Sequence, residues 1–266
     1  MHEILRPQGK FYSRYAIGVV TYVKRFEEYF QPLVAQLDRI FPGVEKNFVI
    51  NGFYDQEQQQ KYLDRALPFL RGSTARSVTY YQENQSLSRC WNQLILNSTN
   101  KKILILNDDL ILRPLFRLFL EAQIGRFDTA VINRSWSHFF LTKSIVKKIG
   151  WFDERFPGVG QEDGDYVLRL AEYYGIRNSN HNYIHNIYCF GVKNIVAKNP
   201  DPGWKRQSQT LGEKYTKANT EFLNSKWQVL ERYEPGSIRN EEGKFLKIRA
   251  GMGTPNFYPD ADLGYN

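Results

Sequence analysis

Lys101-Lys102-Ile103-Leu104-Ile105-Leu106-Asn107-Asp108-Asp109-Leu110-Ile111-Leu112 is the stretch on which the reading of this chain turns. Four apolar residues, Ile103 to Leu106, run directly into Asn107, Asp108 and Asp109. A short run that is apolar at every position predicts a strand buried on both faces, as in a mainly parallel sheet. Acids at the carboxyl end of such a strand lie where open α/β sheets bind their ligands. A buried carboxylate pair repels itself and loses hydration, so it needs a cation or hydrogen-bond donors. An Asx turn opening the next helix would use the same residues, and the local sequence leaves both readings open.

Upstream the chain alternates. Residues 1–13 are polar and basic and read as a loose arm. Tyr15 to Val23 is β-rich and predicts the first strand. Phe26, Phe30, Leu33, Leu37 and Ile40 have helical spacing, stopped by Phe41-Pro42-Gly43. Residues 47–53 read as a strand, 56–70 as a polar amphipathic helix and 77–81 as a third strand. Leu87, Trp91, Leu94 and Ile95 line one face of the next helix. The β-α-β-α-β-α-β order predicts an α/β fold: a Rossmann-like, mostly parallel central sheet with helices on both faces. Neither G-x-G-x-x-G nor a Walker lysine loop occurs in it, which disfavours a dinucleotide enzyme or a P-loop NTPase.

Downstream, Pro114 opens a helix to about Ile124, 128–133 is a strand, and 138–141 is extended. Thr142 caps a helix through Ile149 that Gly150 ends. An aromatic loop, 151–158, leads to Gly160-Gln161-Glu162-Asp163-Gly164-Asp165. Val167, Leu170, Ala171 and Tyr174 then define a helix, so Glu162 and Asp163 sit at its N-terminus. There they cap and complement the dipole, which favours their ionised form. That suits an acid that must take a proton or meet a cation. Residues 182–190 read as a strand containing His185, 193–217 as a basic loop, 216–233 as a helix and 234–266 as a meandering tail.

Lys plus Arg number 36 and Asp plus Glu 28 in 266 residues, a net charge of +8. The excess suits anionic partners, whether nucleotides, a phospholipid surface or nucleic acid. With 17 Tyr and 18 Phe, an aromatic-rich core is the first expectation and sugar-binding faces the second. Cys90 and Cys189 fall in different elements and suggest no disulfide framework, hence a reducing compartment. No apolar run has the length of a membrane span, and no signal-peptide core opens the chain. A cytoplasmic protein is expected, with peripheral attachment to a membrane left open.

Four pieces together resemble the GT-A nucleotide-sugar glycosyltransferases, especially the inverting family 2 type. They are Val20-Thr21-Tyr22 at the end of the first strand, Asn84-Gln85-Ser86-Leu87-Ser88-Arg89-Cys90-Trp91-Asn92, Leu106-Asn107-Asp108-Asp109 in the D-x-D position, and Phe152-Asp153-Glu154-Arg155-Phe156 with Gly160-Gln161-Glu162-Asp163-Gly164-Asp165-Tyr166. The last resembles F-D-E-x-F…G-x-E-D-x-D-Y and is the most specific. The likeness spans about Tyr15 to Phe190. It implies one GT-A catalytic domain over 1–266, with a nucleotide-sugar half at 14–112, a smaller acceptor half at 113–200, and a basic loop, helix and tail at 201–266.

The resemblance implies transfer of a hexosyl or pentosyl group from a nucleoside-diphosphate sugar to a hydroxyl of a glycan, lipid-linked or protein acceptor. It implies inversion by direct displacement, with Mn²⁺ or Mg²⁺ as cofactor. By position Asp109 is the metal ligand, with Asp108 beside it or on ribose and Asn107 as a neutral ribose contact. His185 is a further ligand and His181 a weaker rival. Thr21 and Asn51 adjoin the nucleotide, Arg89 approaches the donor, and Lys205 and Arg206 close over the diphosphate. Asp163 is the base, Glu162 helps bind the acceptor, and Trp151 and Phe152 stack on its sugar. Two departures stand out: Asn107 replaces the first Asp of D-x-D, and Asn51 replaces an Asp that reads uracil in many relatives. The residues taken singly also allow blander roles: a core histidine at 185, a solvated basic surface at 205–206, and core packing at 151–152.

Three rival functions use the same features. A sugar-phosphate nucleotidyltransferase usually has a glycine-rich basic loop after the first strand, and Thr21-Tyr22-Val23-Lys24-Arg25 has no glycine. A nucleic-acid-binding module would concentrate its charge in a stripe, whereas here it is spread. A glycosyltransferase acting on modified nucleic acid would combine the two.

Overall fold

The computed structural model describes residues 1–5, 14–22, 25–53, 55–176, 185–195, 215–234, 236–239 and 243–263. The apolar run of the opening stretch is β5 (Lys102–Asn107), and Ile103 to Leu106 are all buried. It lies beside β2 (Ala16–Thr21), which pairs in parallel with both β5 and β3 (Glu45–Ile50). β4 (Ser77–Tyr80) extends the parallel set. On the other side β8 (Ser135–Thr142) runs antiparallel to β5, followed by β7 (Thr129–Ile132) and β9 (His185–Ile187). β1 (His2–Ile4) completes an eight-stranded sheet of order β1-β4-β3-β2-β5-β8-β7-β9, and β6 (Leu110–Leu112) pairs antiparallel with β10 (Val192–Asn194).

Strand side chains alternate between faces, so β5 feeds two cores. Leu104 and Leu106 pack with α1 (Gln31–Ile40), α2 (Gln56–Gly72) and α4 (Pro114–Gln123). Ile103 and Ile105 pack with α3 (Leu87–Asn97), α5 (Lys143–Ile149) and α6 (Glu162–Tyr174). Each fully buried large side chain contributes roughly 1.5–3 kcal/mol relative to exposure. Caps follow the sequence: Asp55, Ser86 and Thr142 accept backbone N–H bonds at the starts of α2, α3 and α5.

Three expectations change. Residues 2–4 of the supposed arm form a strand, because β4 offers them an open antiparallel edge. The helix expected over 216–233 covers 215–226 and then gives way to β11 (Trp227–Leu230). The tail supplies β12 (Ile238–Arg239) and β13 (Phe245–Ile248), which join β11 in a small antiparallel sheet. Trp227, Ile238 and Leu246 bury against Ala171 of α6. That contact pairs short segments too sparse in apolar residues to declare themselves alone.

The last residue of the 215–226 helix fastens this region to the rest. Lys226 Nζ lies 2.8 Å from Asp153 and 2.7 Å from Asp165, with all three side chains fully buried. Arg155 also binds Asp153 at 2.7 Å and Arg169 binds Asp165 at 2.9 Å. Trp227 Nε1 donates to Asp165 at 3.0 Å. Lys226→Met should lower unfolding free energy by roughly 3 kcal/mol, the lower end for breaking a buried pair, since the two arginines remain. Denaturant melts would check this, and an unchanged midpoint would contradict it.

Candidate active site

The parallel strands β2, β3 and β5 end side by side at Thr21, Ile50 and Asn107. Just beyond β5, Asp108 and Asp109 are only 3% and 7% exposed. Arg25, 5% exposed, reaches them both. Its Nε donates to Asp108 Oδ2 at 2.8 Å, and one terminal nitrogen lies 2.6 Å from Asp108 Oδ1 and 3.2 Å from Asp109 Oδ2. The guanidinium also lies over the rings of Tyr22 and Tyr29, at 5.3 and 4.7 Å from their centroids. Thr21 Oγ1 lies 2.8 Å from the Tyr62 hydroxyl on the same face. Burial works against the charge on Arg25, but the two carboxylates outweigh it and push its pKa up. Two carboxylates against one guanidinium leave a negative charge over. Burial therefore prevails at Asp108 and raises its pKa, against the pull of Arg25 and with Asp109 adding.

Asp109 Oδ1 is buried and has no hydrogen-bond partner among the described residues. A bare, buried carboxylate oxygen is a hard donor of the kind a divalent cation takes. Among the described residues no three His, Cys, Asp or Glu side chains cluster around a common point. The arrangement thus fits an ion held by one or two carboxylates, with water and phosphate oxygens completing its shell. His185 is not brought to it. The row across the sheet runs Leu104, Phe140, Ala130, His185, which places His185 three strand spacings from β5, about 14 Å. Its ring stacks on Phe127 at 4.1 Å and meets Tyr174 edge-on at 5.5 Å. His185 is thus an exposed ring stacked at the far side of the sheet, neither a core histidine nor placed beside Asp109. His181, Lys205 and Arg206 lie outside the described residues.

Asn51 acts as a brace. Its Nδ2 donates to Gln85 O at 3.0 Å, and its Oδ1 accepts from Gly52 N and Gln85 N, each at 2.9 Å. Gly52 allows the closure, since a Cβ there would come within 2.1 Å of the Glu83 backbone. Arg89 is exposed at the first turn of α3, with its guanidinium bonded to Gln85 Oε1 at 2.9 Å. Asn107, half-buried, follows Ile105 onto the α3 face.

The second acidic pair opens α6. Gly160 (φ +109°) and Gln161 (φ +69°) turn the chain through the left-handed region, and Gly160 N donates back to the Glu162 carboxylate. Gly164 N donates to Asp163 Oδ1 at 2.8 Å. The loop is held from two sides: Leu87 N donates to Gly158 O at 2.7 Å, and Asn219 Nδ2 donates to the carbonyls of Pro157, Val159 and Gly160 at 3.0, 3.3 and 2.7 Å. Burial works against the charged form of both acids and outweighs the helix N-terminus, contrary to the expectation from the dipole alone. Burial raises Glu162 to about 7, with the neighbouring Asp163 adding, and burial raises Asp163 also. Desolvation here exceeds a dipole effect of roughly 0.3–1 kcal/mol.

Trp151 and Phe152 do not face an acceptor. Trp151 is buried, its Nε1 bonded to Asn256 at 3.1 Å and its ring against Tyr258. Phe152 stacks on Tyr166 at 4.1 Å and meets Trp91 at 4.9 Å. Asn92 pins that loop, donating to Phe152 O at 2.9 Å and accepting from Phe152 N at 3.1 Å. These rings fill the core between α3 and α6. Sequence reasoning missed Arg25, Asn219 and Lys226. The basic pair Lys24-Arg25 just beyond the first strand was the one signal available.

No protein-family model matches the sequence, and no curated protein matches it significantly. Solved structures do match. Glucosyl-3-phosphoglycerate synthase from Mycobacterium tuberculosis, in complex with Mn²⁺, UDP and glucosyl-3-phosphoglycerate, aligns with a TM-score of 0.51 at 13% identity, over 83% of this chain and 87% of that one. The same enzyme with Mn²⁺, UDP and phosphoglyceric acid gives 0.50 at 12% identity, over 88% and 86%. The fold is that of the GT-A glycosyltransferases. In this GT-A chain the parallel half ends at the Arg25–Asp108–Asp109 cluster, and the antiparallel half leads into the Glu162–Asp163 loop. No helix among the described residues is long and apolar enough to cross a membrane.

The raised Glu162 has a measurable consequence. Its pKa moves from an ordinary 4.5 to about 7 on folding, so the folded state keeps a proton that the unfolded state has released. The stability this adds is full below about pH 4.5 and is lost as pH rises through 7. Glu162→Gln should therefore stabilise the protein at pH 8, by up to roughly 3 kcal/mol, and change little at pH 4. Thermal melts at the two pH values would check this, and equal effects at both would contradict it.

Proposed function

We propose that this chain is a glycosyltransferase that moves a hexosyl or pentosyl group from a nucleoside-diphosphate sugar to an acceptor hydroxyl, with inversion by direct displacement. The observation that carries the reading is the pairing of two separate acidic sites at one edge of a GT-A sheet. One, Asp108 and Asp109, closes the central strand and offers a buried, unpartnered oxygen. The other, Glu162 and Asp163, is desolvated at a helix start. A hydrogen-bonded run links them, from Thr21 O through Asn51 and Gln85 to the start of α3 and Gly158.

On this reading residues 14–112 bind the donor and 113–200 the acceptor. Thr21 and Asp108 adjoin the nucleotide, and Asp109 holds Mn²⁺ or Mg²⁺. The cation would offset charge developing on the departing diphosphate. Asp163 takes the acceptor hydroxyl proton, and a raised pKa brings such a base closer to the working pH. Glu162, bonded to Gly160 N, shapes the acceptor side. A net charge of +8 suits a diphosphate donor. The acceptor is a hydroxyl of a glycan, lipid or protein.

Donor hydrolysis across a panel of nucleotide sugars should disappear with chelator and return with Mn²⁺ or Mg²⁺. Asp109→Ala should abolish that response, and full activity of the variant in chelator would overturn the metal assignment. Asp163→Asn keeps the shape of the side chain but accepts no proton. Its turnover should fall roughly 10²-fold or more, with nucleoside-diphosphate binding retained. A KM rise at constant kcat would instead mark Asp163 as an acceptor-binding group.

A further inference from the structure

The acid pair already has a cation. Arg25 meets it through three nitrogen–oxygen contacts of 2.6 to 3.2 Å, spanning both carboxylates. It is as buried as the acids, and two tyrosine faces hold the guanidinium plane. Such a fork, matched in plane and charge, is a built contact rather than a surface ion pair. It takes both oxygens of Asp108 and one of Asp109, and leaves Asp109 Oδ1 unpartnered.

A divalent cation arriving at that oxygen would stand a few ångströms from the guanidinium, in a site with little water to screen them. Like charges so placed repel strongly. The cation and the intact fork are therefore alternatives. We propose that Arg25 is the resident counter-cation of the pair in the donor-free protein, and that a divalent cation displaces it from Asp109. The displaced guanidinium acquires a new anion when the cation enters with a nucleoside diphosphate. Metal alone then binds weakly, and metal with nucleotide binds well, because only the nucleotide compensates Arg25 for the lost carboxylate. Arg25 is thus a positioning residue that couples the two ligands. This inference rests on the reading of Asp108 and Asp109 as the cation site.

The test measures Mn²⁺ affinity by the paramagnetic signal of the free ion, with and without UDP, in wild type, Arg25→Met and Arg25→Lys. Arg25→Met should bind Mn²⁺ alone roughly tenfold or more tighter than wild type, and UDP should enhance its affinity roughly tenfold less, within the usual range of coupling between sites. Arg25→Lys should fall between, since an ammonium cannot fork two carboxylates. Equal Mn²⁺ affinities in all three proteins would overturn the role of Arg25 while leaving the cation site standing. Absence of Mn²⁺ binding in all three, with or without UDP, would overturn this inference and the cation assignment together. Should the variants fail to fold, the Arg25 Nε–H resonance of the wild-type protein decides. It should be protected from exchange in the free protein and shift on adding Mg²⁺ with UDP. A resonance that stays protected and unshifted at saturation would overturn the proposal.

Discussion

An ammonium group between two carboxylates fixes the shape of the half that carries the aromatic loop and α6. Lys226 Nζ reaches Asp153 at 2.8 Å and Asp165 at 2.7 Å where none of the three side chains meets water. Desolvating three charges costs several kcal/mol per ion, so the cluster persists only because every member has close partners. Arg155, Arg169, Thr254 and the Trp227 indole supply them. Asp153 lies in the aromatic loop, Asp165 in the first turn of α6, and Lys226 at the end of the 215–226 helix. Fastening these three together determines where the intervening loop can run, and thereby where Glu162 and Asp163 stand. Asn219, on the same helix, adds three bonds to the loop carbonyls.

The same constraint governs the pair beyond β5 with a different outcome. Asp108 and Asp109 are also buried acids at a loop start, and Arg25 answers them. Lys226 joins elements of the scaffold and engages two acids that already have arginine partners. Arg25 serves a pair with one oxygen still unmatched. A cluster whose carboxylate oxygens are all matched suits a scaffold, whereas a pair with a bare oxygen retains affinity for a further cation. Glu162 and Asp163 form a third case, in which, among the described residues, backbone amides answer two acids. There burial prevails and both pKa values rise.

The two acidic sites stand at one edge because of sheet topology. Parallel strands β2, β3 and β5 bring their carboxyl ends together, and β8 returns antiparallel, carrying the chain to α5 and the aromatic loop. Asn51 then ties the end of β3 to Gln85, two residues before α3 begins. Asn92 of α3 ties that helix to Phe152. Short polar side chains thus transmit position from one half to the other, each through three hydrogen bonds. That accounts for an asparagine at position 51 without assigning it a ligand.

By itself the sequence determined the alternation of elements, the central strand, the acids at its carboxyl end and those at the start of α6. Those features are local: hydrophobic period, capping residues and the position of a charge relative to an apolar run are all written within a few neighbouring residues. Tertiary structure alone decided which charges meet. Arg25 and Asp108 are 83 residues apart, and Lys226 and Asp153 are 73 apart. It also decided that Trp151 and Phe152 pack inward and that His185 stacks on Phe127, since an aromatic residue carries no local sign of which surface it will meet. The strands of the C-terminal segment became visible only against α6, because segments of two to four residues bury too little on their own to hold a conformation without a partner.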